Sequence, residues 1–182
     1  MDMQHGDHLT LSSITTTVHL GAHTDAPSHY HREGHSLEKR NLNHYLGPVQ
    51  VIEVQVPRAS RIKIADLKGQ EIKTQRVLFK TGSFPNPNQW NDDFVALSPE
   101  LIEELARLKV ILVGIDTPSV DPCDDKILSS HQAIYKHDMA ILEGITLQAV
   151  PAGLYDLIAL PLPIKGADAS PVRAILLKGL SS

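Results

Sequence analysis

The order of apolar and polar residues predicts a chain built mainly from short strands, with few helices. Residues 49–54 and 110–115 are nearly continuous apolar runs, which are typical of strands buried on both faces of a sheet. Further segments with the composition of strands cover residues 9–23, 77–80, 156–160 and 172–177. The pattern therefore predicts an α/β or α+β fold with a mixed β-sheet core and few helices.

Helix signals are concentrated at three places. Ser98-Pro99-Glu100 predicts a helix start, because serine caps, proline fits the first turn and a carboxylate complements the helix dipole. A short helical turn is expected over residues 64–68, and another short helix begins near Ser129. The Pro- and Asn-rich residues 84–90 indicate a loop between these elements.

Composition and charge exclude several classes of function. The 182 residues fit one domain with a sizeable core, and the net charge of −4 gives no general attraction for nucleic acid or an anionic membrane. No apolar run reaches membrane-spanning length, and the polar N-terminus lacks the features of a secretory signal. The single cysteine, Cys123, excludes an internal disulfide and is compatible with a reducing compartment. We therefore expect a cytoplasmic protein whose partner is a small molecule.

The strongest chemical signal is a cluster of potential metal ligands near the N-terminus. His19, His23 and Asp25 are separated by even numbers of residues, so an extended strand would turn all three side chains to one side. Gly21 and Pro27 argue against a helix here. Two imidazoles and a carboxylate on one face predict a site for a borderline cation such as zinc.

A second candidate pair, His131 and Glu143, lies far along the chain. On one straight helix these residues would be about 18 Å apart, too far to share a metal site. Joint ligation therefore requires the helix to end near residues 137–138 and the chain to return as a strand over residues 139–143. Asp138 can adopt the left-handed conformation that often closes a helix. Taken alone, His131 is a histidine near a helix start and Glu143 is a solvated glutamate.

Several motifs together resemble one known family. They are the His-x-x-x-His-x-Asp-Ala-Pro-x-His sequence of residues 19–29, Tyr-Leu-Gly-Pro at 45–48, Gly-Ile-Asp-Thr-Pro-Ser-Val-Asp-Pro at 114–122, the Ser-His…Glu pair of residues 130–143, and Gly-Ala-Asp-Ala-Ser-Pro-Val-Arg at 166–173. In these motifs the chain resembles the cyclase-like metal-dependent hydrolases, and among them the kynurenine formamidase branch. The resemblance implies a swivelling β/β/α-type domain, a homodimer or higher homo-oligomer, and a centre of two zinc ions, or of manganese.

The resemblance also implies roles for individual residues. The implied metal ligands, divided between two ions, are His19, His23, Asp25, His131 and Glu143. Asp25 and Glu143 would be able to bridge the ions, and His29 corresponds to the catalytic acid/base. An imidazole has an ordinary pKa of about 6.5, which suits proton transfer near neutral pH. The implied reaction is hydrolysis of N-formylkynurenine to kynurenine and formate by a metal-activated water.

Two alternatives stay open, because the ligand set is shared across the family. One is another cyclase-family amidohydrolase acting on isatin or a lactone, and the other is a metal-binding protein without turnover. A structural metal site is disfavoured, because four closed protein ligands around one ion would be expected. Members of the family usually carry a further N-terminal segment with a substrate-contacting tryptophan, which Trp90 does not replace by position. Either the sequence as given begins after this segment, or the protein lacks part of the substrate pocket.

Two other acidic residues are weaker candidates. Asp116 follows a buried strand, where site loops are common, and can order a ligand histidine or simply form a turn. Asp168 stands out only through the resemblance.

Overall fold

The computed structural model describes residues 1–179 as a mixed α/β fold, as the sequence predicts. Its helices are α1 (Pro27–Tyr30), α2 (Pro99–Arg107) and α3 (Ser129–Lys136), with 3-10 turns at Met3–His5, Leu37–Lys39, Leu42–Tyr45 and Ile64–Leu67. Its strands are β1 (His23–Asp25), β2 (Leu46–Glu53), β3 (Arg61–Ile62), β4 (Arg76–Lys80), β5 (Ala96–Leu97), β6 (Leu112–Ile115), β7 (Ala140–Leu142), β8 (Gly153–Ile158), β9 (Ala169–Pro171) and β10 (Ile175–Leu177). Across residues 1–179, every helix is too short or too polar to cross a bilayer.

The main sheet has six strands in the order β10-β8-β2-β4-β6-β7. Strands β2, β4, β6 and β7 are parallel, whereas β8 and β10 are antiparallel to their neighbours. Parallel neighbours require crossover connections, and α2 and α3 lie in the connections from β4 to β6 and from β6 to β7. The remaining strands form two small pairs, β1 with β9 and β3 with β5.

Both faces of the main sheet are buried, which accounts for the continuous apolar runs in the sequence. Along β4, Val77 and Phe79 pack into the core on the helix side, and Leu78 packs into a second core on the opposite side. Leu101 and Ile102 of α2 close the helix side. The core is therefore divided into two layers by the sheet.

The helix predicted from Ser98 is confirmed. Ser98 is the N-cap of α2, and its Oγ accepts a hydrogen bond from the Leu101 backbone N–H at 3.1 Å. Pro99 occupies the first turn. The turn predicted over residues 64–68 is also present, as a 3-10 turn that ends at Lys68 in the left-handed conformation.

The strand predicted over residues 9–23 is wrong, because only His23–Asp25 is extended in a sheet. Residues 9–17 are exposed and pair with no strand within the described part of the chain. β-branched composition favours a strand only where a partner strand completes its hydrogen bonds. β9 supplies that partner for β1 alone, with His23 opposite Pro171. The strand predicted over residues 172–177 is likewise too long, because the structure has a strand only at β10.

Candidate metal centre

Strand β1 and helix α1 bring three of the predicted site residues to one end of the fold. His23 and Asp25 are two positions apart on β1, so their side chains lie on the same side. Pro27 begins α1, where its fixed φ suits the first turn, and His29 lies in the last turn. On its other edge, β1 exchanges two backbone hydrogen bonds with Glu143, of 2.9 and 3.0 Å.

The chain reversal required after α3 is present. The helix ends at Lys136, Asp138 has a φ of +50°, and the chain continues as β7 from Ala140. The return brings Glu143 back to α3, where its Oε1 lies 3.6 Å from His131 Nε2. The geometric requirement stated from the sequence is therefore met.

Gly144 allows the chain to turn away directly after the last candidate ligand. Its φ is +61°, and a Cβ at this position would lie 2.4 Å from the carbonyl oxygen of Gly21. Its backbone N–H donates to the Thr117 carbonyl at 2.8 Å. Only a residue without a side chain fits this close approach, so the turn keeps the segments on either side of the centre in contact.

Three imidazoles and the carboxylate of Glu143 cluster around the carboxylate of Asp25. His23 Nε2 lies 3.5 Å from Asp25 Oδ1 and 3.3 Å from Glu143 Oε2. His131 Nε2 lies 3.5 Å from Asp25 Oδ2, and His19 Nδ1 lies 3.1 Å from Asp25 Oδ1. Asp25 is therefore the central residue, in contact with every imidazole of the set.

His19 and His23 use their second ring nitrogens for contacts outside this centre. His23 Nδ1 lies 2.8 Å from the carbonyl oxygen of Gly21, and His19 Nε2 lies 3.1 Å from Asp168 Oδ2. An acceptor on one nitrogen sets the orientation of the ring and leaves the other nitrogen for a metal. Both rings therefore direct a free nitrogen towards Asp25.

His131 is oriented in the same way by a buried carboxylate. Its Nδ1 lies 2.8 Å from Asp121 Oδ2, and the side chain of Asp121 is completely buried. Asp121 also accepts hydrogen bonds from the Ser130 backbone N–H at 3.0 Å and from Arg61 Nη1 at 2.7 Å. The ring nitrogen that remains, Nε2, points to the carboxylates of the centre.

The suggestion that Asp116 orders a ligand histidine is wrong. Asp116 instead accepts hydrogen bonds from the backbone N–H groups of Thr81 and Gly82 and from the Thr81 hydroxyl. Asp121, which sequence reasoning missed, performs the role that was suggested for Asp116. Both residues lie in the same loop after β6, and no local signal in the sequence distinguishes them.

Asp25 is the clearest sign that the centre is built for a cation. Both of its carboxylate oxygens are buried, and neither accepts a hydrogen bond of normal geometry from the described residues. A buried charge without such partners is costly unless another charge balances it. Burial raises the pKa of Asp25, but the facing rings of His131 and His19 lower it more, so the pKa lies well below its ordinary value.

The imidazoles carry raised pKa values for the complementary reason. Burial by itself lowers the pKa of His131. The carboxylates of Asp121 and Asp25 raise it by more, so that the pKa is about 10. The same balance, with Asp25 and Asp168 as partners, raises the pKa of His19 to about 9. A metal ion and protons therefore compete for the same nitrogens at neutral pH.

His29 lies beside this centre, and it is the most exposed histidine of the group. Its side chain is 36% exposed, and its Nδ1 lies 3.4 Å from Asp168 Oδ2. The ring centroid is 4.1 Å from that of His19 and 6.3 Å from that of His131. No hydrogen bond to its Nε2 is found among residues 1–179, so this nitrogen is available to a bound molecule.

A cavity of about 460 Å³ opens onto the imidazoles and Glu143. Its lining includes the imidazoles of the centre and Glu143, and it also includes a group of apolar side chains. The larger apolar residues of the lining are Phe84, Trp90, Leu128, Ile145 and Leu147. Sequence reasoning identified residues 84–90 only as a loop, since nothing in their composition indicates which surface they cover.

The sequence comparisons agree with the geometry. The Cyclase family model ("Putative cyclase") matches residues 2–122. A kynurenine formamidase of Sphingopyxis alaskensis is 43% identical over 173 residues, which cover 94% of this chain and 82% of the relative. A kynurenine formamidase of Maricaulis maris is 42% identical over 91% of this chain and 79% of the relative.

Solved structures with the same fold include hydrolases of this family. A potential metal-dependent hydrolase with cyclase activity has a TM-score of 0.82 at 29% identity, covering 90% of this chain and 81% of its own. A predicted metal-dependent hydrolase of Bacillus stearothermophilus has a TM-score of 0.75 at 31% identity, with coverages of 93% and 82%. An isatin hydrolase bound to thioisatinate shares the fold, with a TM-score of 0.69 at 21% identity and coverages of 89% and 72%. Because the family model and the relatives match most of its length, the chain belongs to the cyclase family of metal-dependent hydrolases, as its motifs predict.

Proposed function

We propose that this protein is a metal-dependent arylformamidase that hydrolyses N-formylkynurenine to kynurenine and formate. The observation that carries the proposal is the direction of the three rings: His19, His23 and His131 each point one nitrogen at the carboxylate of Asp25. The identity of 43% to a kynurenine formamidase across most of the chain supports the choice of substrate.

The proposed metal is zinc, with manganese as the alternative, and the proposed number of ions is two. Imidazole nitrogen and carboxylate oxygen are ligands that zinc accepts. The carboxylate of Asp25, whose oxygens accept no hydrogen bond from the described residues, provides a buried negative charge for the ion. The ligand atoms in each proposed set lie within 4.8 Å of one another. One set is His19, His23 and Asp25, and the other is Asp25, His131 and Glu143. When bound, the ions supply Lewis acidity and a water of lowered pKa.

His29 is the proposed acid/base. In the reaction, the oxygen of water bonds to the formyl carbon and one proton of the water passes to His29. The carbon–nitrogen bond then breaks, the leaving nitrogen takes a proton, and the formic acid released ionises to formate. His29 Nε2 makes no hydrogen bond within the described residues and can donate that proton, while Asp168 contacts Nδ1 on the other side of the ring. Asp168 also contacts His19, so one carboxylate positions both rings.

The test is metal reconstitution followed by assays on two substrates. The full chain is stripped of metal and loaded with increasing zinc or manganese, and the bound ions are counted by mass spectrometry. We expect turnover of N-formylkynurenine to increase up to two ions per chain and to exceed turnover of isatin. Faster hydrolysis of isatin would favour the amidohydrolase alternative, and two bound ions without turnover of either substrate would favour a metal-binding protein. Mass photometry of the same sample tests the expected homodimer.

A further inference from the structure

The loop between β4 and β5 carries an exposed aromatic ring at the mouth of the cavity. Trp90 is 62% exposed and lines the cavity together with Phe84. The indole packs edge to face against Phe84, with centroids 5.9 Å apart, and against Phe94, with centroids 6.0 Å apart. Two aromatic rings therefore pack against Trp90, although most of its own surface stays exposed.

The loop is attached to residues of the cavity lining at two points. At its start, Asp116 accepts hydrogen bonds from the backbone N–H groups of Thr81 and Gly82, at 3.0 and 2.9 Å. Further along, the Gln148 side-chain amide donates to the Pro85 carbonyl, and Gln148 itself lines the cavity. These contacts hold the aromatic rings in a defined position relative to the cavity.

Trp90 lines the same cavity as His29 and Glu143. An amide bound with its formyl group at these two residues has its nitrogen substituent within this cavity, part of whose lining is apolar. The flat, exposed indole there matches an aryl group, because aromatic rings pair favourably at centroid distances of about 4.5–7 Å. Leu128 and Leu147 extend the same apolar surface.

We infer that Trp90, supported by Phe84, is a specificity-determining residue that contacts the aryl ring of the substrate. Trp90 therefore contributes to the affinity for the aryl part of the substrate and not to the rate of bond cleavage. This inference rests on the proposed function and extends it to the part of the substrate that does not react.

The kinetic test compares Trp90→Phe, Trp90→Leu and Trp90→Ala in the zinc-loaded protein. We expect the KM for N-formylkynurenine to rise roughly 3- to 10-fold in the Leu and Ala variants, with kcat changed less than about twofold. The Phe variant keeps a flat ring and should stay within about twofold of wild type. The inhibition constant of N-cyclohexylformamide, which lacks an aryl ring, should not change. Ile127→Ala is the matched control, because Ile127 is 77% exposed and lies outside the cavity lining.

Trp90 also provides a direct optical readout, because it is the only tryptophan in the chain. We expect kynurenine to quench its fluorescence in zinc-loaded wild-type protein, with a midpoint equal to the inhibition constant of kynurenine. Kynurenine that binds without quenching, or an unchanged KM in Trp90→Ala, would overturn the inference. Hydrolysis of N-formylkynurenine by the wild type would still support the proposed function in that case. If the wild type does not hydrolyse N-formylkynurenine, the proposed function fails, and the inference fails with it.

Discussion

The two halves of the candidate centre are held in different ways. The inner half consists of His23, Asp25, His131 and Glu143, and the outer half consists of His19, His29 and Asp168. Every residue of the inner half is at most 4% exposed, and each lies on, or next to, a strand or helix of the core. Those of the outer half are partly or largely exposed, and only His29 lies in a helix, the four-residue α1.

This difference separates two tasks, except that His19, a proposed metal ligand, lies in the outer half. Groups that hold an ion must keep fixed distances, and buried strands and helices provide that rigidity. Groups that exchange protons or meet a substrate must be accessible, so they lie on connecting segments supported by the core. Changes in the inner half should therefore remove metal, and changes at His29 should impair turnover while metal stays bound.

The largest effect is expected from Asp25→Asn. The amide keeps the volume of the side chain but removes the negative charge that all three rings face. We expect zinc to be lost on dialysis and turnover to fall by more than about 100-fold, beyond the effect usual for residues outside the ligand set. Metal analysis and the formamidase assay measure this. Asp124→Asn, at an exposed position outside the cavity lining, is the control, and an Asp25→Asn protein with both ions and normal turnover would contradict the assignment.

The next largest effect is expected from His29→Ala. Loss of a general acid lowers kcat by about 10²- to 10⁴-fold, while the zinc content should stay at the wild-type value. Parallel zinc and kcat measurements separate the two quantities, with His31→Ala as the control. An active His29→Ala enzyme would remove the acid/base assignment, and a zinc-free one would move His29 into the ligand set.

A smaller effect is expected from Asp121→Asn. The substitution weakens the contact that orients His131, and removing such a carboxylate typically lowers metal affinity by about 10- to 100-fold. With zinc in excess, kcat should recover most of its value, because no reacting group has been removed. Zinc titration against a competing chelator measures the change. Asp116→Asn, in the same loop but without a histidine partner, should keep wild-type zinc affinity, and equal losses in both variants would contradict the role of Asp121.

The smallest effect is a dependence of zinc affinity on pH. Before zinc binds, the raised pKa values of about 9 for His19 and about 10 for His131 leave both rings protonated at neutral pH. Zinc must displace these protons, so its apparent affinity should increase as the pH rises towards about 9. Calorimetry in two buffers of different ionisation enthalpy should show proton release at neutral pH. An affinity that does not change with pH would show that the rings are neutral before binding.

The sequence predicted some parts of the centre better than others. The reversal after α3 followed from a distance limit together with the backbone freedom of Asp138, and it is confirmed. The strand over residues 9–23 failed, because composition does not reveal whether a partner strand exists. Asp121 was missed for a similar reason: its role depends on which loop residue reaches α3.

The sequence by itself determined the features that depend on neighbouring residues. The cap of α2, the turn after residue 67 and the spacing of His23 and Asp25 on one side of a strand all follow from local backbone and side-chain chemistry. Only the tertiary structure decided that Glu143 lies beside β1 and that Asp121 orients His131. It also decided that Trp90 covers the same cavity. These contacts join segments far apart in the chain, and they form only when the layers of the sheet and helices pack together.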